Sequence, residues 1–202
     1  LRRTSAPWHG RCCGLRSTER AARSGSEPHR GFTRPAASKR YVGQMRKLLV
    51  GTGLATAAAA VAGGVASRDG VQGWYTTIRK PGYVPPNAVF PIAWTALYVD
   101  IAATSAAAID RFRADGRDAQ ARGYIAALGV NLALNAGWSW VFFKMNRLGP
   151  SVVAAAALTV SSADLARRAA DADLKLGAAL TPYPLWCGFA TVMSADIWRL
   201  NR

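Results

Sequence analysis

From Leu48 onward the chain is a succession of apolar stretches separated by short, charged connections. A hydrocarbon core takes about 20 residues to cross, and five stretches come near that length: 48–66, 89–109, 123–143, 151–166 and 176–200. The pattern predicts an all-α protein, a five-transmembrane-helix bundle occupying 45–202. Connections 110–122, 144–150 and 167–175 are brief and charged, whereas the first, 67–88, is long and aromatic. Within it, Trp74-Tyr75-Thr76-Thr77-Ile78-Arg79-Lys80-Pro81-Gly82-Tyr83-Val84-Pro85-Pro86 runs straight into Phe90-Pro91-Ile92-Ala93-Trp94. Three prolines and a glycine forbid a regular helix or central strand through it. A loop of this length and aromatic content is too apolar for a linker. It reads as a lid, carried by Trp74, Arg79, Lys80, Pro81, Tyr83, Pro85 and Pro86.

The flanks of the first stretch, Arg46-Lys47 before and Val65-Ala66-Ser67 after, also fit a signal peptide. The later helices need a partner for their small-residue faces, which favours a retained helix. The fourth stretch ends at Arg167-Arg168, whose long side chains reach an interface, and the fifth has Pro182 and Pro184 near its start, where proline costs least or produces a kink.

Two stripes separate on the third stretch. Gly129, Ala133 and Gly137 recur every fourth residue, the small-residue spacing that lets two backbones approach, so this face is expected against another helix or a second copy of the chain. Asn131, Asn135, Trp138 and Phe142 follow helical spacing on another face. Amides in lipid are expensive, so that face should look inward. Asn131 reads as a helix-to-helix bond and Asn135, beside Trp138, as a cavity residue. Phe90, Trp94 and Tyr98 form an aromatic stripe on the second stretch, and Trp186, Ala190, Met193 and Ile197 a matching one on the fifth. Asp100, Asp164 and Asp196 are acids inside these stretches; Arg167 and Arg199 lie near the last two, while Asp100 has no evident partner.

Net charge is +15, but residues 1–47 hold twelve Lys/Arg against Glu19 and Glu27, so the basicity belongs to a tail and not to a folded face. Scattered arginines without a binding motif argue against a nucleic-acid partner. The chain begins at Leu1 and its first methionine is Met45; residues 1–44 read as a leader or as sequence ahead of the true start, and are expected to lack order. His9 and His29 both lie in that tail, so the body has no histidine for haem, zinc or a hydrolytic triad. Cys12, Cys13 and Cys187 make neither a disulfide framework nor a metal spacing, and no metal site is expected.

Four motifs in order, spanning Met45 to Arg202, carry a resemblance: Trp74-Tyr75-x-x-Ile78-x-Lys80-Pro81-x-Tyr83-x-Pro85-Pro86; Phe90-Pro91-x-x-Trp94-Thr95-x-Leu97-Tyr98; Asn131-Leu132-x-Leu134-Asn135-x-x-Trp138-Ser139-x-x-Phe142-Phe143; and Pro182-Tyr183-x-x-Trp186-x-x-Phe189-Ala190-Thr191 with Ile197-Trp198-x-Leu200-Asn201. Together they resemble the tryptophan-rich sensory protein / translocator protein family, also called the peripheral-type benzodiazepine receptor family. The resemblance implies a five-helix membrane bundle, commonly a homodimer, whose first loop closes over a pocket for protoporphyrin IX, haem, benzodiazepine-type ligands and, in animals, cholesterol. No cofactor is obligatory. By motif position the ligand-binding residues would be Tyr75, Trp94, Tyr98, Asn135, Trp138, Trp186 and Ala190.

Departures matter. Tyr83 stands where the family usually has tryptophan, and the stretch Val192 to Arg199 lacks the tyrosine of the animal sterol pattern and carries Asp196, so cholesterol is not expected. Three readings follow: porphyrin sensing, sequestration or transport; light- and oxygen-dependent porphyrin degradation with Trp94 as the reactive indole; or a small exporter with Asp100 as coupling acid. Porphyrin propionates would meet Arg79 or Lys80, and the absence of histidine implies that free-base porphyrin binds at least as well as haem. The expected location is a bacterial cell membrane or, in a eukaryote, an organelle membrane such as the mitochondrial outer membrane.

Overall fold

The computed structural model describes residues 36–202, with side chains from Val42 onward except Asp69. The expectation for the tail falls outside the described residues as far as residue 35. Every regular element described is helical: α1 (Ala36–Gln72), α2 (Trp74–Thr77), α3 (Val89–Ala114), α4 (Asp118–Ser139), which continues as a π-turn (Trp140–Lys144), α5 (Leu148–Ala172), α6 (Leu174–Leu180) and α7 (Pro182–Leu200). Four helical spans, Val42–Gln72, Val89–Ala114, Asp118–Lys144 and Leu148–Ala172, are long and apolar enough to cross a membrane.

The helices outrun the apolar stretches. α1 begins nine residues before Met45, at Ala36, and α5 continues past Arg167 and Arg168 to Ala172. Those arginines stay helical because they pair along their own helix, Arg167 and Arg168 with Asp164 at 2.8 and 2.5 Å, and Arg167 with Asp171 at 3.2 Å. The fifth stretch is not one helix. Asp173 adopts an extended backbone, accepts from the Lys175 amide and starts α6. Pro182, lacking an N–H, then opens α7 after the turn at Thr181. One turn of helix, α2, also forms where the lid was expected to be irregular, at Trp74–Thr77, just ahead of the prolines.

Chain reversals follow familiar chemistry. α3 ends with Arg111 and Arg113 in its last turn, then Gly116 at φ 71° while the Arg117 amide bonds the Phe112 carbonyl at 2.7 Å. The π-turn after α4 is marked by the Met145 amide on the Trp140 carbonyl, five residues back, at 2.9 Å.

Polarity is arranged for lipid. Val61, Val65, Ile92, Val99, Val153, Val160 and Leu185 lie exposed around the bundle, each more than 60% accessible, while Asn131, Ser105, Ser151, Ser162 and Ser194 are fully enclosed. In a bilayer the outer face gains nothing from burial, whereas an enclosed polar group needs a partner inside; Ser105, Asn131, Ser151 and Ser162 have one, and the Ser194 hydroxyl has none among the described residues. Buried positions on α5 are Ser151, Ala155, Leu158, Ser162, Leu165, Ala169 and Ala172, a strict alternation of four- and three-residue steps. That 3.5-residue repeat of mainly small side chains packs α5 closely along α7.

α1 closes on the π-turn through Gly70, where an added Cβ would stand 2.7 Å from the Phe143 carbonyl oxygen and 2.9 Å from its Cβ. Backbone cannot give way as a flexible side chain can, so Gly70→Ala should cost about 1–3 kcal/mol. Gly64 on the same helix has open space around its missing Cβ, so Gly64→Ala should be neutral or gain up to about 1 kcal/mol. Thermal unfolding of both variants in detergent, followed by circular dichroism, checks the contrast.

Candidate ligand cavity

α1 and α3 touch at one end, where the Thr52 hydroxyl bonds the Ala102 carbonyl at 2.8 Å. Toward the 73–88 connection a cavity of about 650 Å³ lies between the second half of α1 and the first turns of α3, backed by α4 and the π-turn. Small residues Ala60, Gly63 and Gly64 form the α1 wall, Phe90, Trp94 and Tyr98 the α3 wall, Asn135, Trp138 and Ser139 the back, and Phe142, Phe143, Tyr75 and Met193 complete it. The rings are mutually packed. Trp94 leans on Tyr98 at 5.6 Å, Trp138 stacks on Phe142 at 5.5 Å and 25°, and Tyr75 meets Phe143 edge-on at 5.8 Å. The π-turn brings the consecutive Phe142 and Phe143 within 4.7 Å of each other beside Tyr75.

Polar groups are unevenly distributed. Ser67, Arg68, Gln72, Asn87 and Thr95 line the end nearest the connection, and among the described lining residues Arg68 alone is charged. Deeper in, Tyr98 donates to Asn135 Oδ1 at 2.6 Å and Asn135 Nδ2 donates to the Tyr183 hydroxyl at 3.4 Å. Tyr183 donates on to Asn131 Oδ1 at 2.7 Å, and Asn131 Nδ2 to Ser161 at 3.2 Å. The two asparagines thus divide as their spacing suggests: Asn131 joins helices and Asn135 reaches the cavity. Among the described lining residues there is no histidine, cysteine or carboxylate, and no cluster of three such groups stands anywhere in the described body to hold a metal. The wall suits a flat apolar molecule with an anionic edge.

The model of the TspO/MBR family matches residues 52–199. The chain belongs to that family. It is 30% identical to protein CrtK of Rhodobacter capsulatus over 149 residues, 71% of this chain and 88% of that protein. It is 31% identical to the tryptophan-rich sensory protein of Cereibacter sphaeroides over 128 residues, 63% and 77% of the two chains. The human translocator protein is 29% identical over 139 residues, 64% and 75% of the two chains. With several apolar helices of spanning length, this TspO/MBR member is an integral membrane protein.

Of the family-matched positions, Tyr75, Trp94, Tyr98, Asn135 and Trp138 come together on the cavity, whereas Trp186 and Ala190 are absent from its lining. Trp186 instead packs on Phe90 at 6.1 Å and on Phe189 at 5.5 Å. Trp74, Arg79, Lys80, Pro81, Tyr83, Pro85 and Pro86 do not line it either; Tyr75 and Asn87, at the two ends of that connection, do. Trp74 rests edge-on against Phe142 at 5.7 Å. Lys80 is turned onto Tyr75, donating to its carbonyl at 2.9 Å with the ammonium 4.3 Å from the ring centre. The positive group on the cavity is Arg68, missed in the sequence because it reads as an ordinary helix-end cation. Helical spacing from Gly64 to Arg68 was the available signal. Ser139 and Phe143 were likewise in the third motif but were assigned no role there.

The connection is fastened to the end of α7. Asn201 and Arg79 exchange bonds, side-chain amide to carbonyl at 2.8 Å and backbone amide to side-chain oxygen at 2.9 Å, and Tyr83 donates to Asp196 at 2.8 Å. Asp196 is also 3.5 Å from Arg199, the pairing expected from the sequence. Asp100 accepts from Thr104 at 2.8 Å and lies off the cavity.

Burial first, then the hydrogen bond and negative charge of Asp196, raise the Tyr83 phenol above its ordinary value. Its folded value exceeds its unfolded one, so the clasp is complete below about pH 10 and is lost as pH rises through the raised value. The tyrosinate absorbance difference between wild type and Tyr83→Phe should titrate above free tyrosine, and Asp196→Asn should move it down. An unshifted titration that Asp196→Asn leaves in place means that no such clasp exists in solution.

Proposed function

We propose that this TspO/MBR family protein binds tetrapyrroles, protoporphyrin IX or haem, in the cavity between α1, α3 and α4, and acts in their sensing, sequestration or transport. The supporting observation is the cavity itself. At about 650 Å³ it falls within the usual range for small-molecule sites. Its walls are stacked aromatic planes suited to a porphyrin face, with Arg68 near one end to meet a propionate. Tyr75 and Asn87 flank the cavity end at which the connection would act as a lid. Iron has a poor handle here, Met193 being the one soft donor among the described lining residues, so free-base porphyrin binds at least as well as haem.

A second reading draws on Trp94, whose indole lies on the cavity wall within 5.6 Å of Tyr98: oxidation of bound porphyrin by molecular oxygen under light. The exporter reading has no comparable support, since Asp100 is away from the cavity. In this proposal α6 and α7 together make the fifth membrane crossing, with Leu185 and Val192 facing lipid. Relatives from Rhodobacter and Cereibacter favour a bacterial cell membrane; the human relative keeps an organelle membrane open.

Protoporphyrin IX titrated in the dark into the full chain in detergent should quench tryptophan fluorescence saturably. Arg68→Gln should weaken binding about tenfold, the worth of one charge-assisted hydrogen bond, and leave the affinity for the porphyrin dimethyl ester unchanged. Trp94→Phe should keep dark affinity within about threefold, an aromatic face being retained, and abolish conversion on illumination if the second reading holds. Absence of saturable quenching removes the tetrapyrrole reading.

We further propose a homodimer through α4. Gly129 and Ala133 are exposed and Gly137 half-exposed, and a Cβ built at either glycine meets nothing within 4 Å. Paired Gly129→Leu and Gly137→Leu should shift the mass in detergent, read by light scattering, from two chains to one; an unchanged dimer places the interface elsewhere.

A further inference from the structure

One side of the cavity is not sealed. The far side is closed, since Asn135, Trp138, Phe142 and Met193 are all buried. On the near side each helix carries an inward stripe, Ala60, Gly63 and Ser67 on α1 and Phe90, Trp94 and Tyr98 on α3. Beside each stripe runs an edge that is cavity lining and outer surface at once: Gly64, Val65 and Arg68 on α1, Pro91 and Thr95 on α3. Residues of two neighbouring helices that border the same cavity and are also exposed mark a gap between those helices. Val61 and Ile92 flank it, exposed like the rest of the lipid-facing belt, so the gap gives onto hydrocarbon.

The borders of the gap suit that position. Gly64 has open space where a Cβ would stand. The Thr95 hydroxyl donates to the Pro91 carbonyl at 2.7 Å and the Ser67 hydroxyl to the Gly63 carbonyl at 2.7 Å, while Pro91 has no N–H, so these groups need no partner from lipid. Arg68, toward the connection, has a side chain long enough to hold its charge at headgroup depth. The alternative entrance is fastened. Asn201 makes two bonds to the Arg79 backbone, Tyr83 donates to Asp196, and Trp74 and Tyr75 pack on Phe142 and Phe143. Admission past the connection breaks some of these contacts, whereas admission between α1 and α3 breaks none.

We propose that the ligand enters and leaves sideways, from the hydrocarbon through the gap between α1 and α3, beneath a connection that stays closed. The ligand class is then one that dissolves in a bilayer: a flat apolar body that slides between the helices, with an anionic group that stays at headgroup depth beside Arg68. This inference rests on the cavity being a ligand site and adds the route by which it fills.

Rates test it, because a passage governs how fast a ligand moves and a wall how tightly it is held. 1-Pyrenebutyrate, a flat ring system with one carboxylate, and protoporphyrin IX are each mixed with the full chain in lipid nanodiscs, and the saturable part of tryptophan quenching is followed by stopped flow. Gly64→Phe puts a ring into the gap and should lower the association and dissociation rates together, each about tenfold. Thr95→Phe obstructs it from the α3 side and serves if Gly64→Phe does not fold. Gly51→Phe, at an equally open and exposed glycine of α1 away from the cavity, should leave both rates at the wild-type value. So should Asn201→Ala, which frees the connection. Rates unchanged by both ring substitutions, a change confined to dissociation, or a rise of both rates in Asn201→Ala overturns the proposal, the last placing the entrance at the connection. If pyrenebutyrate behaves as expected while protoporphyrin IX fails to bind, the tetrapyrrole reading falls and the route stands; if neither quenches saturably, both fall.

Discussion

The bundle depends on where two asparagine amides find their partners. Asn131 and Asn135 sit inside helices whose outward faces are valine, isoleucine and leucine, so the alternative to an internal partner is an amide in hydrocarbon. The bonds they make run from Tyr98 on α3 through both asparagines of α4 to Tyr183 on α7 and Ser161 on α5. One connected set of side chains therefore registers four helices against each other. Individual bonds of this kind contribute only about 0.6–2 kcal/mol in membranes. Their weight lies in specificity, because a slip of any helix by one residue strands an amide or a phenol at larger cost.

With α3, α4, α5 and α7 held in that register, packing fixes the rest. The small residues of α5 bring it close along α7, and Gly70 lets the end of α1 rest on the backbone of the π-turn. α1 is bound to α3 at the Thr52 end and to the π-turn at its own C-terminal end. Between those points it is lined by alanine and glycine opposite Phe90, Trp94 and Tyr98, and short side chains facing large ones leave the cavity. The cavity is thus bordered on one wall by the relay that orders the bundle, which ties the chemistry of that wall to the stability of the fold. At its opposite end the connection is tied to α7 by Asn201 and Asp196, so the segment beside the cavity mouth is fastened at a distance from the aromatic wall.

Much of this was legible in the residues. Apolar length gave the helices, because a membrane span must satisfy its backbone internally and leaves little choice but helix. Periodicity separated the Asn131–Asn135–Trp138–Phe142 face from the Gly129–Ala133–Gly137 face, and in the structure the first is buried and the second open. Local pairs such as Asp164 with Arg167 were also legible, since three- and four-residue spacing fixes them within one helix.

What the sequence by itself determined is what depends on neighbours along one helix: element type, the sidedness of each face, the in-helix ion pairs and the residues that give the family its motifs. Only the tertiary structure decided which faces meet. It turned Lys80 onto Tyr75 and brought Arg68 to the cavity, kept Trp186 and Ala190 off its wall, and split the last stretch at Asp173 and Thr181. It also joined Tyr183 to two asparagines about fifty residues away. The physical reason is that helical spacing orders side chains around one axis and carries no information about the rotation of that axis against the next. That rotation is set by side-chain volume and hydrogen-bond satisfaction between helices, which exist only once the bundle is assembled.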